Sequence, residues 1–98
     1  MNVFTADDFR PYLNQVFTIR LGSGELYNVE LIEVRDLGDA PGPEFRKPFA
    51  LTLRNPARNV YLPQGTYRLE HPQMGSLDLF IVPLGPDANG MRYEITFS

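Results

Sequence analysis

Between Val16 and Leu21, apolar and polar residues alternate: Phe17, Ile19 and Leu21 face one way, Thr18 and Arg20 the other. A period of two is the mark of a half-buried strand. Gly22-Ser23-Gly24-Glu25 then supplies glycines suited to positive φ. A second alternating run from Leu26 to Arg35 follows, so the two runs read as a hairpin. The second run slips out of phase. Tyr27, Val29 and Leu31 share one face, but Ile32 and Val34 continue on the other. That slip predicts a β-bulge near Leu31 and Ile32, or burial on both faces. A bulge would bend the strand, as a small barrel requires.

Further strands are predicted over Pro48 to Arg54, Thr66 to His71, Leu77 to Leu84 and Met91 to Phe97, with a short edge segment at Val60 to Leu62. The last three form a meander through His71-Pro72-Gln73-Met74-Gly75 and Gly85-Pro86-Asp87-Ala88-Asn89-Gly90, both rich in turn residues. The inward set comprises Phe49, Leu51, Leu53, Tyr67, Leu69, Leu77, Leu79, Ile81, Met91, Tyr93, Ile95 and Phe97. Ahead of the strands, residues 5–13 read as a short helix, with Thr5 as N-cap, Asp7 and Asp8 in the first turn, and Pro11 limiting its length. Residues 36–47, with Gly38, Pro41, Gly42 and Pro43, read as a surface loop. The fold class is therefore all-β: a small antiparallel barrel or two-sheet sandwich of six to seven strands with one short N-terminal helix. Closure would remove exposed strand edges, which favours the barrel.

Composition narrows the function classes. The chain of 98 residues is one domain's worth, and neither half is long enough to stand alone, so residues 1–98 are expected to form a single domain. It has no cysteine, which removes disulfide and thiolate-metal chemistry. A net charge of −3 argues against a phosphate-backbone partner, so no nucleic acid is expected. The N-terminal stretch has no basic leader or apolar run, and no window is apolar enough for a helical span. The expected location is cytoplasmic, with no membrane partner.

Candidate chemistry is sparse. His71 is the single histidine, on the core side of a strand end, and adjacent Glu70 points to the opposite face. A general base needs a nucleophile or an orienting carboxylate within hydrogen-bond reach, so His71 reads as a half-buried ring bonded to a turn carbonyl. Paired carboxylates of the kind used in glycoside hydrolysis are not visible in sequence: Glu30 and Glu33 on the outer part of a strand, and Asp36 and Asp39 on a loop, read as solvated charges. Asp87-Ala88-Asn89-Gly90 lacks the ligand spacing of a calcium loop and reads as a hairpin turn. No catalytic residue, cofactor or metal is assigned.

Two binding surfaces remain. The run Leu77 to Leu84 is apolar on both faces, with Phe80, Val82 and Leu84 outward. That outer stripe is either covered by the N-terminal helix through Phe4, Phe9, Tyr12 and Leu13, or is a surface for a protein partner or a second copy of the chain. Arg68, Glu70, Arg92 and Glu94 would flank it, either paired across strands or as the charged rim of an interface. The alternative is a barrel mouth for a small ligand or carbohydrate, near His71, Tyr67 and the loop at 36–47.

The runs Leu62-Pro63-Gln64-Gly65-Thr66-Tyr67-Arg68-Leu69-Glu70-His71-Pro72, Leu79-Phe80-Ile81-Val82-Pro83 and Gly85-Pro86-Asp87-Ala88-Asn89-Gly90-Met91-Arg92-Tyr93-Glu94, with Asp7-Asp8-Phe9 and Phe17, resemble a family of small uncharacterised bacterial domains. These motifs are turn and core residues, so the resemblance implies a fold and carries over no catalytic residue. It also implies an association with phage-tail-like and tail-collar-like proteins, and hence an assembly or accessory role. Function must be argued from a site, and the surface of the strand at 77–84 is the best candidate.

Overall fold

The computed structural model describes residues 4–38, 47–57 and 62–97. Six strands, β1 (Val16–Arg20), β2 (Leu26–Asp36), β3 (Phe49–Asn55), β4 (Gly65–His71), β5 (Gly75–Asp87) and β6 (Gly90–Phe97), follow a short α1 (Ala6–Phe9) and a 3₁₀ turn at Arg10–Tyr12. They close into an antiparallel barrel in the order β1-β2-β3-β6-β5-β4, the last strand pairing back to the first. This is the barrel of the two architectures expected. Of the predicted edge segment, residues 60–61 lie outside the described residues, and Leu62 is buried but outside any strand.

The out-of-phase stretch of β2 is a bulge. Leu31 pairs with Leu53 and Glu33 with Thr52, leaving Ile32 unopposed, and Val34 then returns to the inner face opposite Leu51. One extra residue thus restores the apolar parity of the strand. A second bulge, without such a slip in the sequence pattern, leaves Leu84 unopposed between Pro83 and Gly85.

The core is layered along the barrel axis. At the end carrying Val16, Phe49, His71 and Phe97, the rings of Phe49 and Phe97 stack with centroids 4.4 Å apart. Phe9 of α1 packs on both, 5.9 and 5.4 Å away, and is fully buried. The middle is filled by Ile19, Leu31, Leu51, Leu69, Ile81 and Ile95, all buried. At the opposite end, Tyr93 Oη lies 2.8 Å from Tyr27 Oη and accepts the Leu62 N–H at 2.9 Å.

The helix therefore does not cover the outer face of β5. It plugs the barrel end, where Phe49 and Phe97 offer an apolar floor that would otherwise meet water, and full burial of a Phe side chain there is worth about 2–3 kcal/mol. Three polar contacts hold it, two within the helical segment and one to β2. The Asp8 carboxylate accepts the Thr5 N–H at 2.8 Å, and Arg10 bridges Asp7 to Asp36, the latter at 2.8 Å, tying the helix to the end of β2. The α-helix ends at Phe9, short of the residues 5–13 expected, and Pro11 stands near the start of the 3₁₀ turn that continues it to Tyr12.

Candidate functional site

His71 closes β4 at the plugged end and is 6% exposed. The loop Pro72-Gln73-Met74 returns the chain to β5, with Gly75 at φ +80° taking the left-handed position a three-residue hairpin loop needs. Nδ1 of His71 accepts the Gln73 N–H at 3.1 Å, which places the ring proton on Nε2, and Nε2–H then donates to Gln15 Oε1 at 2.8 Å. Tyr12 and Phe17 hold the ring from two sides, each with centroids 4.6 Å away. Both nitrogens are committed, and two aromatic rings pack on the imidazole. The ring joins the helix segment, β1 and the β4–β5 turn, and its turn partner is a main-chain N–H where a carbonyl was expected.

The proposed ligand mouth does not assemble. His71 and Tyr67 share a face of β4 but belong to different ends of the barrel, and Tyr67 donates to the Pro63 carbonyl at 2.6 Å. Phe9, Phe49, Phe97 and Tyr12 fill the barrel interior beside His71, and the groove that His71 lines, about 410 Å³, is an outer one shared with Thr18, Glu70 and Ser76, away from Tyr67. A surface groove of about 580 Å³ does run between the helix and the end of β2, lined by Thr5, Asp7, Arg10, Asp36 and Lys47. Arg10 and its ion-pair partners Asp7 and Asp36 form part of its wall. Most of the loop beyond it, residues 39–46, lies outside the described residues, and Asp39 with it.

The carboxylates are placed for pairing. Arg20 grips Glu70 with two nitrogens, Nε at 2.8 Å and Nη2 at 3.1 Å, and this hydrogen bonding holds the Glu70 carboxyl below its ordinary range. Asp87 is lowered first by the Asn89 main-chain N–H, 2.8 Å from Oδ1, and then by Arg54, 3.3 Å from Oδ2. Both shifts run opposite to the raised pKa of a general acid. Glu33 accepts from Thr52 at 3.2 Å, and no group of three metal-ligating side chains occurs among the described residues. The Asp87 stretch is the hairpin turn expected, with Ala88 and Asn89 at its tip.

The outer face of β5 is open. Phe80 is 54% exposed and Leu84 41%, with Val82 half-buried between them. The four charges expected to flank this stripe do pair across strands, but not with one another. Glu70 turns to Arg20 on β1, and Glu94 reaches over β3 to Arg35 at 2.9 Å, above the buried Ala50 and Thr52. Arg68 is left with Asp78 at 3.6 Å, and Arg92 with Asp87 at 3.9 Å, its Nε buried without a hydrogen-bond partner. The stripe thus has Arg68 on β4 to one side and Arg92 on β6 to the other, with both glutamates drawn away.

Sequence reasoning missed the Tyr27–Tyr93–Leu62 cluster at the far end. Burial raises the Tyr27 phenol pKa, reinforced by the hydrogen bond to Tyr93. All three groups are used in holding the segment before β4 against the barrel. Among the described residues no helix is long and apolar enough to cross a membrane.

Neither the curated proteins nor the solved structures contain a match to the chain. A family model matches residues 4–97, which take in α1 and all six strands, and the chain belongs to that family, described as Domain of unknown function (DUF6916).

Proposed function

We propose that this domain is a non-catalytic interaction or assembly module whose contact surface is the outer face of β5: Phe80, Val82 and Leu84, flanked by Arg68 and Arg92. The observation that carries the reading is the exposure of Phe80 and Leu84, with half-buried Val82 between them, on a strand that the N-terminal helix leaves bare. An apolar centre with arginines at its margin has the composition of a protein interface. His71, Glu70 and Asp87 are each committed to an internal pair. The resemblance to domains associated with phage-tail-like proteins favours a role as an accessory of such a structure or of a surface structure.

The test is capture of partners on the purified chain, identification by mass spectrometry, and a hydrogen-exchange footprint with the identified partner. Protection concentrated in Gly75–Asp87, and loss of capture in Phe80→Asp with the melting temperature unchanged, is the expected result. Protection elsewhere, with Phe80→Asp binding as well as the native chain, would remove this surface from consideration.

A further inference from the structure

β5 changes neighbours along its length. Gly75–Ile81 pair with β4, Val82–Asp87 pair with β6, and among the described residues neither half has a ladder partner on its other side. Two lengths of strand edge result, and they differ in chemistry. The Val82–Asp87 edge carries Pro83, Pro86 and the bulge at Leu84, devices that keep an edge from accepting another strand. The Gly75–Ile81 edge has no proline and no bulge. Its inward Leu77 and Leu79 are only partly buried, whereas Leu69 and Ile95 on the neighbouring strands are closed off, and its outward Phe80 is exposed. Asp78 is the single charge along it.

We propose that Gly75–Ile81 is a self-pairing edge, to which a second copy of this chain adds its own Gly75–Ile81, antiparallel, across a two-fold axis. The inference rests on the reading of β5 as an interaction element and names its partner. The self-complementary set of Phe80, Asp78 and Arg68 favours a second copy, and charge excludes one register. An axis on Asp78 would set two carboxylates face to face, which is unfavourable. An axis on Leu79 sets Leu77 against Ile81 of the second copy, Leu79 against its counterpart, and Asp78 against Phe80 of the second copy. The half-covered leucines are then closed off. Each Asp78 keeps its own Arg68, 3.6 Å away, and that exposed guanidinium lies where the incoming Phe80 ring can take a cation over its face. A contact of this isologous kind closes at two copies.

The test is sedimentation equilibrium from low to high micromolar protein on the native chain and on Phe80→Ala, Phe80→Asp and Phe80→Lys, with circular dichroism confirming that each is folded. The native chain is expected to dimerise. Phe80→Asp, which faces Asp78 of the second copy twice over, is expected to weaken the dimer about tenfold or more relative to Phe80→Ala, and Phe80→Lys to bind at least as tightly as Phe80→Ala. Equal weakening by Asp and Lys would overturn the register and the pairing, as would a native chain that stays monomeric throughout. A monomer that still captures an identified protein through β5 overturns the self-pairing and leaves the interaction-module reading standing.

Discussion

Gly90 lies directly against the Asn55 carbonyl: a Cβ at Gly90 would fall 2.0 Å from Asn55 O. The glycine also sits at φ +148°, so a side chain there meets both backbone strain and main-chain atoms that cannot rotate away. Gly90→Ala is expected to destabilise the fold by about 2–4 kcal/mol, read as a lowered urea midpoint. A loss below about 0.5 kcal/mol, the size of an ordinary surface change, would show that the β5–β6 turn relaxes away from β3.

The hydrogen bonds of His71 assign its tautomer. Nitrogen chemical shifts of the neutral imidazole should show the proton on Nε2, with Nδ1 accepting. His71→Ala opens a cavity between Tyr12 and Phe17 and strands the Gln73 N–H, and should cost about 2–4 kcal/mol. A ring protonated on Nδ1 would mean that the β4–β5 turn is held some other way.

Acid should weaken the fold in a defined direction. Glu70 and Asp87 have folded pKa values below their ordinary ones, so the stability they contribute is present above the unfolded carboxylate pKa of about 4 and is lost as pH falls through the folded values. The melting temperature should therefore drop as pH is lowered below about 4, and Glu70→Gln should flatten that slope. An acid limb unchanged in Glu70→Gln would mean that the Arg20 grip contributes nothing in solution.

The two tyrosines at the far end should not respond alike to loss of the hydroxyl. Tyr93 Oη serves both the Leu62 N–H and Tyr27, so Tyr93→Phe leaves a buried donor unmet and should cost about 1–3 kcal/mol. Tyr27→Phe takes away the hydrogen bond to Tyr93 but leaves the Leu62 N–H bonded, and is expected to cost less than Tyr93→Phe. In an alkaline phenolate titration, Tyr27 should ionise above the ordinary value near 10, and stability should fall as pH rises past it. Equal costs for the two variants would remove the Leu62 bond from this account.

Where residue type and parity decide the structure, the chain could be read directly. The β2 bulge announces itself because an extra residue shifts apolar parity, and Leu31-Ile32 shows the shift. The bulge at Leu84 does not, because Pro83 to Pro86 carry no alternation to interrupt. Which apolar surface the helix covers is a non-local choice between two floors of similar chemistry, and only the closed barrel shows that Phe49 and Phe97 form the better one. The partner change along β5 is equally non-local. The separation of His71 from Tyr67, by contrast, was available from strand geometry: four residues at about 3.3 Å each put them roughly 13 Å apart, too far for one small mouth. Of the candidate surface, Phe80 and Leu84 were legible as outward and apolar; the departure of Glu70 and Glu94 to Arg20 and Arg35 was not.

The Phe9–Phe97 contact has a practical corollary for orientation. Because the first helix rests on the last strand, with Phe4 beside Phe9 at 5.7 Å and Phe9 beside Phe97 at 5.4 Å, both ends of the described chain emerge at one pole of the barrel. A tag, surface tether or fused protein joined at either end hangs from that pole. The tyrosine pole is then displayed outward, so the two attachments should be interchangeable in how they present the molecule.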